Sequence, residues 1–156
     1  MIPDRTKTEF LRGGFNLETA TVKVALIGGG VAYTPDSAAH EFVSDVLDGG
    51  TTAVEFSDAG YSRETLTNLT VTEDNIDSEG AWDADDVVFA NLGSANNGEV
   101  VQGILVYEQI GGDDTTPADD PILRVIDDSE TAELPITTNS GNFQIAWDAE
   151  GIINAS

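Results

Sequence analysis

Residues 86–109 read DVVFANLGSANNGEVVQGILVYEQ, two apolar runs around a polar, glycine-punctuated centre. The runs DVVFANL (86–92) and EVVQGILVYEQ (99–109) have the length and composition of strands. Between them Asn97-Gly98 is a strong hairpin-turn signal, because both central positions of such a turn need a positive φ. The stretch therefore predicts two strands joined by a turn. The rest of the chain after Gly50 follows the same pattern, short runs separated by turn residues. TLTNLTVT (65–72) sets Leu69 and Val71 against threonines. PILRVID (121–127) is apolar on both faces, which predicts a central strand. ELPIT (133–137) and NFQIAWD (142–148) flank TNSG, and Phe143, Ile145 and Trp147 share one face of the last strand.

Helix signals are confined to the first fifty residues. DRTKTEFLR (4–12) predicts a short helix, with Thr6-x-x-Glu9 in the pattern of a capping box and Gly13-Gly14 as its stop. In TATVKVALI (19–27), Val22, Val24 and Leu26 alternate, which predicts a strand. YTPDSAAHEFVSDVLDGG (33–50) predicts a second helix: Thr34 caps, Pro35 suits the first helical position, and Gly49-Gly50 stop it. Ala39, Phe42, Val43 and Val46 would be its apolar stripe. The expectation is a mainly β fold: a β-sandwich, jelly-roll or immunoglobulin-like, of about eight short strands, flanked by two short helices near the N-terminus. Residues 1–156 read as a single domain, with GGDDTTPADDP (111–121) as its loosest loop.

Charge is the strongest compositional signal. Asp and Glu number 29 against 6 Lys and Arg, for a net charge of −23. The acids are spread along the whole chain rather than gathered in a tail. In molar salt the Debye length is only ~3 Å, so self-repulsion is screened; in dilute buffer the same charge works against the compact state. This composition reads as a protein of an extreme halophile; an ordinary acidic domain with a basic partner is the alternative. Either way no basic patch is available to neutralise phosphates, which argues against nucleic acid as a partner. The longest apolar run, VKVALIGGGVAY, falls short of the ~20 residues of a membrane span, and MIPDRTKTEF does not read as a signal peptide. With 0 cysteines there is no disulfide and no thiolate metal site.

Few arrangements in the chain carry chemistry. Gly28-Gly29-Gly30 lacks the glycine spacing and the βαβ context of a dinucleotide site, so it reads as a turn. His40 is the one histidine; no nucleophile elbow accompanies it, and it reads as a packing or interface residue. A carboxylate pair for glycoside hydrolysis would need aromatic sugar platforms, whereas Phe89, Phe143 and Trp147 fall in strand periods. The candidate metal ligands are Asp83, Asp85 and Asp86 in WDADDVVF, and Asp113 and Asp114 in the long loop; a structural Ca²⁺, Mg²⁺ or Na⁺ is the ion they would hold. Strand alternation places Asp83 and Asp85 on one face and Asp86 on the other, and no D-x-D-x-D-G loop is present, so a solvated acidic edge is the competing reading. Asn68-Leu69-Thr70 and Asn154-Ala155-Ser156 match the N-glycosylation pattern, which arises often by chance.

Four segments in this order, FLRGGFNLETATVKVAL, AYTPDSAAHEFVSDV, TLTNLTVTED with AWDADDVVF, and NFQIAWDAEGII, resemble a family of small structural proteins of tailed double-stranded DNA viruses of bacteria and archaea. The resemblance runs from about residue 9 to residue 153. It implies a non-enzymatic virion component without a cofactor, from a virus of a haloarchaeal host given the added acids. A capsid decoration protein (turret or tower) would sit on the outside of the head after assembly in the host cytoplasm. It would bind the major capsid protein and other virion proteins and associate with itself, as a trimer or a capsomer ring, with neither nucleic acid nor membrane as partner. A tail or tail-tip component, with receptor or glycan binding, is the alternative. In this family reading Trp82 and Phe89 pack, and the aspartates between them cap, turn or face solvent.

Overall fold

The computed structural model describes residues 1–29, 32–47, 53–74, 79–95 and 98–155. The fold is mainly β, with α1 (Asp4–Arg12), β1 (Val22–Gly28), α2 (Val43–Leu47), β2 (Val54–Glu55), β3 (Glu64–Thr65), β4 (Thr70–Asp74), β5 (Glu79–Asp83), β6 (Val87–Leu92), β7 (Val100–Val101), β8 (Gly103–Glu108), β9 (Ile122–Ile126), β10 (Ile136–Thr137), β11 (Gly141–Ile145) and β12 (Ile153–Ala155). The described strands thus number 12 rather than about eight, because several predicted runs split between partners.

The principal sheet has the order β2-β1-β8-β9, with β3 also paired to β1. All its pairings are antiparallel. Alternation explains its central strand. Val22, Val24 and Leu26 face one way, as the sequence predicts, but Ala25 and Ile27 on the opposite face are also fully buried. β8 repeats this, with Val106 on the first side and Leu105 and Tyr107 on the second, all at 0% exposure. On the first side the sheet meets a cluster drawn from the small sheets: Trp82 of β5, Val87, Phe89 and Leu92 of β6, Val101 of β7 and Ile145 of β11. Those sheets run β12-β5-β4, β11-β6 and β10-β7. On the second side Val43, Val46 and Leu47 of α2 cover Ala25, Ile27, Leu105 and Val125, with Tyr33 and Ala53.

Gly28 ends β1 where a second segment of the chain closes on it. A side-chain carbon there would lie 2.9 Å from the Cα of Phe56, so only glycine lets that segment close on the strand.

Several local expectations give way to tertiary pairing. β6 and β8 do not form a hairpin; β6 pairs with β11, while β8 pairs with β1 and β9. Asn97 lies outside the described residues. Likewise β10 goes to β7 and β11 to β6, so TNSG joins two sheets. PILRVID forms β9, yet β9 ends the ladder instead of lying at its centre. Its burial comes from chain laid along its outer edge: Val125 N–H donates to Met1 O at 2.8 Å, and Ile122 N–H donates to Glu41 O at 2.9 Å. Such covering removes the liability of an open strand edge.

That same contact shortens the second helix. Phe42 bridges to Pro121, and Val43 N–H donates to Asp120 O, so residues 41–42 run extended against β9. Asp36 meanwhile turns the chain early, its Oδ1 accepting the N–H groups of Ala38 and Ala39 at 3.0 and 3.2 Å. Only Val43–Leu47 stays helical; Gly49 and Gly50 lie outside the described residues. α1 matches its predicted span and ends at Gly13 in the left-handed conformation, φ 71°. Its capping box does not form, because Thr6 lies inside the helix, fully buried, and donates its hydroxyl to Ile122 O across the β9 edge.

Trp82, not Trp147, is the buried tryptophan. Trp82 is 3% exposed, sits across from Val71 and Ile153, and donates its indole N–H to Leu17 O at 3.2 Å. Trp147 lies beyond the end of β11 and is half-buried. Emptying a buried aromatic site typically costs ~3–5 kcal/mol. Trp82→Ala is therefore expected to lose stability in that range, and Trp147→Ala less, by chemical unfolding in molar salt.

Candidate functional site

The aspartates of WDADD do not converge. β5 ends at Asp83 and β6 begins at Val87, so residues 84–86 leave the strand and the alternation assumed for Asp83, Asp85 and Asp86 does not hold. Asp85 Oδ2 accepts from Thr67 Oγ1 at 3.1 Å and from Asn68 Nδ2 at 2.6 Å, pinning the approach to β4. Asp86 points the other way: its Oδ2 accepts from Gln144 Nε2 at 3.2 Å and its Oδ1 from Trp147 N–H at 3.1 Å. Trp147 Nε1–H in turn donates to Asp85 O at 3.0 Å. The two aspartates thus latch the β5–β6 connection to two different segments. Asp83 is half-buried across from Thr70, with a buried Oδ1 that makes no hydrogen bond. Among the described residues no three Asp, Glu or His side chains are grouped to hold a metal ion.

Asp113 and Asp114 also part company. Asp113 Oδ1 accepts the N–H and hydroxyl of Thr115 at 2.8 and 2.5 Å, a local turn. Asp114 folds inward onto the principal sheet. Lys23 and Tyr107 stand opposite each other across β1 and β8, and both donate to it: Lys23 Nζ at 2.5 Å and Tyr107 Oη at 2.7 Å. Gln109 Nε2 adds a third bond at 2.7 Å, and Arg63 Nη1 lies 3.5 Å away. Arg63 is gripped in fork fashion by Glu55 at 2.6 and 2.7 Å, and Glu55 also accepts from Tyr61 Oη at 2.7 Å. This half-buried network was invisible in sequence, since its members span residues 23 to 114.

Its electrostatics follow from this geometry. Burial alone would raise Asp114, but the donors Lys23, Tyr107 and Gln109 outweigh it and hold the carboxyl at about 2. Arg63 is held above its ordinary value, chiefly by Glu55. Burial pushes Tyr61 and Tyr107 up, helped by the Glu55 and Asp114 carboxylates respectively. A second staple uses Asp58, whose side chain accepts from Ala59, Ser94 and Glu99 N–H groups, while Glu99 Oε2 accepts from Ser57 and Asp58 N–H. These bonds, that of Ala59 first, hold Asp58 at about 2.

Every cation in the chain is engaged internally. Lys7 pairs with Asp4, Arg12 with Glu9, and Arg124 with Glu130 at 2.9 Å; Arg5 lies over the Phe42 ring at 4.5 Å; Lys23 and Arg63 belong to the network. His40 is equally occupied. Its Nδ1 faces Tyr33 Oη at 2.8 Å and accepts Asp36 N–H at 3.1 Å, so it cross-links the 33–40 loop instead of sitting mid-helix.

A cleft of about 420 Å³ opens between β9, the 130–136 segment and β11. Ile104, Ile126 and Ile145 line it, with Arg124, Trp147 and Asp148. It offers ring surface, a guanidinium neutralised by Glu130, and carboxylates. No protein family, curated protein or solved structure compared with this chain matches it.

Asp114 generates a pH expectation. Its folded value of about 2 lies below its ordinary 3.8, so its contribution is complete above about pH 4 and fades as pH falls toward 2. Asp114→Asn should flatten this acid limb of the unfolding midpoint in molar salt, leaving a residue from Asp58, which titrates in the same window. An unchanged acid limb would remove Asp114 from the stabilising network.

Proposed function

We propose that this chain is a non-enzymatic structural protein of the virion of a haloarchaeal tailed virus, a capsid decoration protein on the outer surface of the head. One observation carries the reading: the segments that resemble the viral family are fold-building. The YTPD motif forms the Asp36 turn. In WDADD, Trp82 packs in the core while Asp85 and Asp86 act as latches. In QIAWDAEGI, Ile145 and Ile152 are buried and Asp148 O accepts Gly151 N–H to make a turn. Side chains selected for such tasks suit a building block. Five of the six cations pair with acids of the same chain and Arg5 lies over the Phe42 ring, which leaves an acidic exterior that fits a host with molar salt and disfavours nucleic acid as partner.

In this reading the small sheets are the second layer of a β-sandwich built on the principal sheet, and the chain is one domain. Its partners are the major capsid protein and further copies of itself, as a trimer or capsomer ring. No helix among the described residues is long and apolar enough to cross a membrane. The cleft, with Trp147 at its rim, favours a second reading, a tail or tail-tip component that binds a receptor or glycan.

Imaging of purified virions at subnanometre resolution, with quantitative mass spectrometry of the same particles, separates them. Hundreds of copies on the head support decoration. A few to tens at the tail tip support the second reading, and absence from the virion contradicts both.

A further inference from the structure

The cleft beside β11 carries a fixed aromatic surface. Phe143, Ile145 and Trp147 recur at every second residue along β11 and the chain just past its end, and all three line the cleft. Trp147 is half-buried, and two hydrogen bonds hold it. Its backbone N–H donates to Asp86 Oδ1 at 3.1 Å and its indole Nε1–H to Asp85 O at 3.0 Å. Among the described residues no other ring stacks on it. The indole is thus oriented before any ligand arrives, which removes an ordering cost from binding.

Polar groups share the lining. Arg124 gives N–H groups to Ile152 O and to Glu130, while Glu133, Asp148 and Thr131 add carboxylates and a hydroxyl. The carboxylates of Glu130, Glu133 and Asp148 outnumber the one guanidinium. Most ligand classes fit this lining poorly. An anion such as a phosphate or a uronate would be repelled by the excess of acids. A cation held by charge alone would be released in molar salt, where the Debye length is ~3 Å. A wholly apolar ligand would strip water from the carboxylates and replace none of its hydrogen bonds. A ligand with an apolar face for the rings and hydroxyl groups for the acids meets both halves of the lining.

We infer that this cleft binds a neutral saccharide, its ring stacked on Trp147 and its hydroxyls donating to Asp148 and Glu133. The volume of about 420 Å³ falls in the range of small-ligand clefts. Stacking and hydrogen bonds between uncharged and charged partners persist in concentrated salt, whereas charge pairing is screened. The inference names a ligand class for the cleft that the tail reading invokes, yet it rests on the cleft alone and on no position in a virion. Virion imaging and sugar binding are separate measurements, and either can fail without the other.

The test is a titration of isotope-labelled protein in molar NaCl, followed by two-dimensional NMR of the backbone and indole N–H groups. The probes are methyl β-glucoside, methyl β-galactoside, methyl α-mannoside and N-acetylglucosamine, with glucuronate as the anionic control. At least one neutral sugar should shift the Trp147 indole signal and the amides of residues 143–148 saturably, while the Trp82 indole stays in place. Doubling the NaCl should leave the affinity within about twofold. Trp147→Ala should weaken binding by about tenfold or more, and Trp147→Phe, which keeps a ring, by less. No shift with any neutral sugar would overturn the site. So would shifts confined to residues outside the cleft, glucuronate binding as well as the neutral sugars, or unchanged binding by Trp147→Ala. Should the alanine variant not fold, the wild-type titration decides: saturable shifts centred on Trp147 support the site, and their absence overturns it.

Discussion

The ladder between β1 and β8 is the constraint on which the other elements depend. Its six register pairs run from Val22↔Glu108 to Ile27↔Gly103, and both of its faces are buried. A two-faced ladder needs cover on each side. The small sheets supply one cover and α2 with Tyr33 the other. Each fully buried Val, Leu or Ile contributes about 1.5–3 kcal/mol, so these strands carry a large share of the driving force. The covering elements are short and contribute mainly through what they place on the ladder.

The ladder also organises the charge. Lys23 and Tyr107 oppose each other on it, and Asp114 folds down to meet both. The long loop is thereby anchored at Asp114 and again at Asp120, which bonds Ile110. The molecule spends its scarce cations on such internal ties, and apart from Asp120 and Asp127, which are buried, the described acids are at least partly exposed. An exterior of this kind is self-repelling in dilute solution and calm in molar salt. The same economy supports a structural role, because the acids with identifiable tasks cap turns and latch segments.

Much of this was legible in the sequence where the signal is local. The alternation of Val22, Val24 and Leu26 marks β1, and Gly13 marks the end of α1. Signals failed where a distant segment decides. Asn97-Gly98 looks like a hairpin, yet its flanking strands are claimed by β11, β1 and β9. Helical residues near Phe42 are drawn straight by Pro121. β9 reads as central because it is apolar throughout, but chain outside the ladder buries its edge. The candidate acids show the same limit: Asp85 and Asp86 are neighbours in sequence whose side chains serve different segments, whereas Asp114 meets Lys23 and Tyr107 only through the fold. Among 29 acids no spacing could foretell these partners.

The most direct measurement of this account is amide hydrogen exchange, residue by residue, in molar NaCl and again in dilute buffer. In molar salt the β1 and β8 amides should be the slowest, exchanging only through global unfolding, while β4 and β12 open earlier. In dilute buffer the protection of β1 and β8 should fall together, as a cooperative loss driven by unscreened charge. Exchange in β1 and β8 as fast as in β4 and β12, or protection indifferent to salt, would contradict a fold built on a buried ladder inside an acidic shell.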